Sequence, residues 1–237
     1  MTNVLAIARR EFRSYFDSPI AYVFIDVFLV VSAWLFLREF FLIGQADLRP
    51  FFTFLPWLFL FFTPAITMRL WAEEKKLGTF EILMTLPVRN IEAVLGKFLA
   101  ALGLVAVTLV LSLVLPLSIA HYVELDLGPV IGGYLGALAL AAAFLSVGLF
   151  ISSLTENQIV AFIISVTISF FLLMVGSDLV VSSLPKSLGP AAEYLGLQNH
   201  FQSISRGVVD SRDIVYYVSV SLLFLVINTF VVESSRR

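Results

Sequence analysis

Cysteine is absent from this 237-residue chain, and histidine occurs only twice, at His121 and His200. Disulfides are thereby excluded, and almost no material remains for a transition-metal site. Charge is also scarce: Asp, Glu, Lys and Arg make up 14% of the residues, where a soluble domain carries about a quarter. A net charge of −2 gives no electrostatic case for nucleic acid or an acidic ligand. The chain contains no GxxxxGK[ST] phosphate loop, no GxSxG elbow and no HExxH pair, so any ATP hydrolysis is expected in another polypeptide and no catalytic residue is assigned. What is plentiful is apolar surface. Hydrophobic residues are 59% of the chain, 23 of them phenylalanine, which is the composition of an integral membrane protein.

A hydrocarbon layer about 30 Å thick is crossed by about 20 mostly apolar helical residues. Six stretches qualify: 20–37, 54–71, 98–120, 130–152, 158–176 and 214–232. The expected fold is therefore all-α, one transmembrane domain over 1–237 with six spans. Six crossings put both termini on one side. Arg9, Arg10, Arg13, Arg69, Lys75, Lys76, Arg89, Lys97, Arg236 and Arg237 fall on the termini and on or just before the connection 72–97, against Arg38, Arg49, Lys186, Arg206 and Arg212 on the other face. That bias places both termini in the cytoplasm. Arg9, Arg10, Glu11 and Arg13 interrupt what a signal peptide would need as an apolar run. Val4, Ala8, Phe12, Tyr15 and Phe16 recur instead at helical spacing, so 1–18 reads as an amphipathic helix at the lipid surface, or as a helical start packed on a partner.

The little charge there is gathers in MRLWAEEKKLGTFEILMTLPV, residues 68–88. Arg69 and Glu73 stand four apart and can pair on one helix surface, so the second span is expected to continue to Leu77. Gly78 then stops it in a left-handed conformation, and Thr79 is placed to cap a short helix over 80–86. Glu81 lies in the first turn, where the helix dipole favours negative charge, and Pro87 ends the helix. Asn90 is placed to cap the third span, with Glu92 in its first turn. A helix this short is not stable alone. Its apolar residues Phe80, Ile82, Leu83 and Leu86 either dock into something outside the bilayer or return to the membrane surface.

Ala72, Glu73, Glu74, Lys75, Gly78, Thr79, Glu81, Leu83 and Pro87 together resemble the signature of the ABC-2 type permeases, and the resemblance extends over essentially the whole chain. It implies that the segment after the second span is a coupling helix fitting a groove on a cytoplasmic ATPase. It further implies two such ATPase subunits, holding the ATP and Mg that this chain does not bind, and a second permease copy or homologue. SSLTENQIVAF (152–162) and NHFQSISRGVVDSRDIVYY (199–217), with SPIAY and PAITMR, resemble more narrowly the gliding-motility-type branch. That branch implies a bacterial inner-membrane protein and an accompanying subunit with a large outer domain, and names a subfamily rather than a phenotype.

Thr155 and Gln158 have capping-box spacing before the fifth span. Glu156 and Asn157, with Thr155, are candidates for a second ATPase contact. The connection 177–213 is too long for a simple turn, and its apolar groups suggest short re-entrant helices. There Asn199 and Gln202 repeat the capping-box spacing, Gly207 can end a helix, and Asp210 with Asp213 can start the last span. His200, Arg206, Asp210 and Arg212 serve as caps and ion pairs, or contact substrate or an outer partner. Asp26 is the one carboxylate well inside a span, a functional candidate by its depth, or a group hydrated or protonated near the interface. Gly132 with Gly136, and Gly133 with Ala137 and Ala141, allow close helix approach within one subunit or between two. Pro56, Pro64 and Pro116 can bend the second and third spans. A membrane enzyme or a secondary transporter would be the alternatives to a permease, and the second would need paired discontinuous helices and several buried ionisable groups.

Overall fold

The structure is a computed structural model that describes residues 2–43, 49–85, 87–120, 126–207 and 210–235; Leu86 and His121 lie outside them. Among the described residues every regular element is a helix. In chain order these are α1 (Thr2–Phe16), α2 (Pro19–Ile43), α3 (Arg49–Lys76), α4 (Thr79–Thr85), α5 (Asn90–Ser112), α6 (Val114–Ala120), α7 (Leu127–Ser152), α8 (Gln158–Met174), α9 (Asp178–Ser183), α10 (Gly189–Leu195), α11 (Leu197–Ser205) and α12 (Ser211–Ser234). Among the described residues five stretches are long and apolar enough to cross a membrane: those of α2, α3, α5 running into α6, α7 and α12. The fifth expected span forms an apolar helix of 17 residues, α8, which falls short of that length.

The helix α7 is the centre of the bundle, with α3, α5, α8, α11 and α12 around it. Its small residues are what let so many neighbours approach. Gly133 lies against the Phe52 ring of α3 and Gly148 against Thr67, while Gly132 and Gly136 lie against Ile204 of α11. Both small-residue rows therefore serve packing within one chain. Where no glycine intervenes, phenylalanine fills the space: Phe28 of α2 stacks on Phe59 of α3 at 5.8 Å, and Phe24 meets Phe62 edge-on at 5.0 Å.

The third span departs from the expected single helix over 98–120. It breaks at Leu113 between α5 and α6. Pro116 has no N–H for the Ser112 carbonyl and its ring crowds that turn, which is reason enough for the break. Several expected caps also differ. Asn157, not Thr155, caps α8 by accepting from the Ile159 N–H at 2.9 Å, while Thr155 accepts from the Asn157 N–H at 3.1 Å. The first turn of α5 is closed at Arg89, whose N–H donates to the Glu92 carboxylate at 3.0 Å, leaving Asn90 without the expected role. Asn199 stands inside α11 rather than before it; its amide donates to the carbonyls of Gly176 and Glu193 at 2.9 and 3.0 Å and so ties α11 to the turn after α8 and to α10. Gly207 does end α11, at φ +90°, and Asp210 does cap α12.

The helix α1 runs beside α5. Asn3 donates to Glu92 at 3.2 Å, Ile7 covers Gly96 and Phe12 covers Gly103. Ile7 and Tyr15 are buried, so much of the amphipathic face expected at the lipid surface is covered by protein, with Leu5 left exposed. A Cβ at residue 96 would stand 2.6 Å from Ile7 Cγ2 and 2.7 Å from Ile7 Cβ, atoms too close to the backbone to swing away. Gly96→Ala is expected to cost about 1–3 kcal/mol, the usual range for overpacking. A lowered unfolding temperature in detergent and faster proteolysis at α1 would show it.

Candidate functional site

The unusual chemistry of this chain is at the end of the bundle where α1, the end of α3, α4, the start of α5 and the end of α7 meet. Gly78, at φ +71°, stops α3 and turns the chain into α4, as its sequence position suggests. Thr79 does not cap α4; its hydroxyl donates back to the Glu74 carbonyl at 3.3 Å and satisfies the end of α3. In α4 the apolar residues divide. Phe80 and Leu83 are turned inward and buried, with the Phe80 ring edge-on to Trp71 at 5.8 Å and the Lys75 ammonium over it at 5.2 Å. Ile82, Glu81, Leu77 and Pro87 face outward. The expectation that Phe80 and Leu83 are presented to a partner is thus corrected: a seven-residue helix needs an anchor in its own protein, and these two side chains are it.

Glu74 is likewise internal. Lys97, one residue before the expected third span, is fully buried, and its ammonium donates to Glu74 Oε1 at 2.6 Å and to Glu11 Oε1 at 3.5 Å. Arg10 closes the cluster from α1, at 2.6 Å from Glu11 and 3.8 Å from Glu74. The Lys97 ammonium also sits 4.8 Å from the centre of the Trp71 ring, so the cation is surrounded by two carboxylates and an aromatic face. One turn away Arg69 pairs with Glu73 at 3.6 Å, at the spacing read from the sequence, and lies over the Tyr15 ring at 5.7 Å. Arg10, Glu11, Tyr15, Arg69, Glu73 and Glu74 line a polar cavity of about 350 Å³ between α1 and α3. Burial pushes the Glu11 carboxyl up, but Lys97 and the Arg10 hydrogen bond more than offset this and hold it below the usual carboxylate range.

Lys97 and Trp71 were not picked out by sequence reasoning. A lysine at the mouth of a span reads as an interfacial charge, and only packing shows that it points into protein.

The second candidate segment is brought to the same place. Lys75 donates to the Ser153 carbonyl at 2.6 Å and lies within electrostatic reach of Glu156. The turn of Thr155, Glu156 and Asn157 thus stands beside the root of α4, with Glu156 and Asn157 exposed.

At the opposite end, His200 is buried between α10 and α12. Its Nδ1 is 2.7 Å from Asp213 and its Nε2 is 2.8 Å from the Tyr194 carbonyl. The carbonyl can only accept, so Nε2 donates to it and Nδ1 is the ring atom that faces the Asp213 carboxylate. Tyr216 stacks on the imidazole at 4.0 Å, and the hydroxyls of Tyr216 and Tyr217 donate to the carbonyls of Leu195 and Leu197. His200 is therefore a structural tie, and Asp210 a cap. Arg206 and Arg212 are exposed, Arg206 lining a polar cavity of about 400 Å³ with Asp178 and Glu193. Asp26 joins neither end: it faces outward from α2 and makes no hydrogen bond or ion pair among the described residues. No group of three or more His, Cys, Asp and Glu side chains among them is placed to hold a metal ion.

The sequence matches the family profile described as ABC-2 family transporter protein over residues 39–232. No curated protein matches it.

Removing one partner of a buried ion pair typically costs about 3–5 kcal/mol. Lys97→Met, which leaves Glu74 and Glu11 with Arg10 alone, should destabilise the protein toward that scale in thermal unfolding, and the Lys97→Met, Glu74→Gln double variant should recover part of the loss. Because the folded-state pKa of Glu11 is depressed, its contribution is fully present above the ordinary carboxylate pKa of 4.5 and is lost as pH falls through the lower folded value. Unfolding temperatures measured from pH 7 down to 3 should show this loss, and Glu11→Gln should flatten it.

Proposed function

The chain belongs to the ABC-2 family of transporter proteins, and from that premise we propose that α4 and the Thr155–Asn157 turn form one docking surface for a separate ABC ATPase. Membership makes it a multi-pass membrane transport subunit, whose family pairs with cytoplasmic ABC ATPases. In our reading two permease chains, identical or homologous, meet two ATPase subunits that hold ATP and Mg. The chain crosses a bacterial inner membrane six times with both termini in the cytoplasm. The fifth crossing is α8, whose 17 residues extend about 25 Å at the helical rise of about 1.5 Å per residue, the short end of what a span needs.

The observation that carries this reading is the division of α4. Phe80 and Leu83 fasten the helix to Trp71, while Leu77 and Ile82, 66% and 64% exposed, stand beside Glu81 with nothing over them. An apolar pair of that exposure, Leu77 at the turn into a rigidly mounted short helix and Ile82 on it, is suited to a groove on a partner. Its rigidity comes from the Lys97 cluster beneath. Glu73, Glu74, Gly78, Thr79 and Pro87 then act by shaping and mounting the element, with Glu81 and Ile82 at its contact face.

The motifs at 152–162 and 199–217 support placing the chain in the gliding-motility-type branch. In that branch, α9 to α11 would be the surface for an auxiliary subunit with a large outer domain, and ATP-driven work would be either exported substrate or force passed to that subunit.

The two faces of α4 make the reading testable. Ile82→Asp should abolish co-purification with the cognate ATPase while leaving the unfolding temperature of the permease unchanged. Phe80→Asp should lower both, because the charge is placed against Trp71. Undiminished ATPase binding by Ile82→Asp would overturn the assignment of α4 as the docking element.

A further inference from the structure

Ser152 is the last residue of α7 and is fully buried. The other serine of the same helix bonds within it: the Ser146 hydroxyl donates to the Ala143 carbonyl at 2.7 Å. Ser152 instead reaches into α3. Its hydroxyl donates to the Met68 carbonyl at 3.0 Å and accepts from the N–H groups of Trp71 and Ala72 at 3.1 and 3.2 Å. One donor and two lone pairs are all a serine has, so its whole hydrogen-bonding capacity is spent on one turn of another helix. Met68 and Ala72 are four apart, the two ends of a single helical i→i−4 bond, and a side chain inserted there is a recognised site of helix bending.

That turn is the last one before the stretch that mounts α4. Immediately beyond it Lys75 bonds to the Ser153 carbonyl at 2.6 Å, and one turn before it Thr67 is packed against Gly148. The charged end of α3 is thus bound to the end of α7 at three successive levels. A shift of one without the other would break a fully satisfied buried hydroxyl and leave its partners unpaired, which is costly away from water.

We propose that Ser152 is a positioning residue that makes the charged end of α3 and the central helix α7 move as one body, so that displacement of α4 reaches the core of the bundle. The inference rests on the reading of α4 as the ATPase-docking element, and the test separates the two. The chain has no native cysteine, so Thr85→Cys and Leu154→Cys, both at exposed positions, would carry the only two spin labels. In the permease alone, the distance distribution between them is expected to be narrow, unchanged by Ser146→Ala, and broadened by Ser152→Ala and by Lys75→Met. The Lys75 variant carries this arm if Ser152→Ala does not fold.

In complex with the cognate ATPase and without labels, Ser152→Ala should lower the permease-dependent ATPase rate by roughly threefold or more, within the range of single contacts along a coupling path, with the amount of bound ATPase unchanged. An unbroadened distribution in folded Ser152→Ala overturns the proposal. Broadening with an unchanged ATPase rate overturns its role in coupling. Broadening in a permease whose wild type binds no ATPase supports the mechanical tie and overturns the docking assignment of α4.

Discussion

Everything at the charged end depends on where the Lys97 ammonium is held. A cation removed from water carries a desolvation penalty of several kcal/mol, and it is tolerated here because Glu74, Glu11 and the Trp71 ring meet it from α3 and α1. The same arrangement fixes the relative position of three helices that share little else in composition. Without Lys97, Glu74 and Glu11 would be two carboxylates between α1 and α3 with only the largely exposed Arg10 guanidinium to share. With it they are ligands of one charge. The concentration of charge in an otherwise apolar chain thereby has two purposes: part is buried as a clamp, and part, with Glu81 and Glu156, remains outside.

Above the clamp the chain relies on the absence of side chain. Gly133, Gly148, Gly132 and Gly136 bring α3 and α11 close to α7 from two sides, and close approach is what dispersion and backbone contact need in a bundle where apolar burial between helices has little driving force. Ser152 completes the α3–α7 contact with directional bonds. At the far end the same task falls to polar aromatics, His200, Tyr216 and Tyr217, each spending a polar atom on a carbonyl of the short outer helices. The two ends are therefore held by different chemistry, ionic at one and by aromatic hydrogen bonding at the other.

The candidate site was legible where a local rule decided it. Gly78 in the left-handed region, the Arg69–Glu73 pair, Gly207 and the Asp210 cap all depend on residues within a few positions of one another, and each lies where its spacing places it. The rule failed where two candidates for one local role competed. Thr155 and Asn157 can each cap α8, and Asn90 and Glu92 can each close α5; which one succeeds is set by backbone angles that spacing does not contain. Reading Asn199 as a cap failed for a different reason, since its partners Gly176 and Glu193 lie outside its own helix, in the turn after α8 and in α10.

Composition and hydropathy alone determined that this chain is helical and built for a membrane, since no other structure satisfies backbone groups over such long apolar runs. The sequence also determined where the charged hairpin begins, turns and ends, because glycine and proline act on their own backbone. Direction was decided only in three dimensions. Phe80 and Ile82 are equally apolar and two residues apart, yet one anchors α4 and the other is left outside. Glu73 and Glu74 are adjacent and identical, yet one pairs along its own helix and the other holds a buried lysine 23 residues away. Those choices depend on which neighbour occupies each face, and faces are assigned by the packing of α1, α5 and α7 around α3, not by any pattern within it.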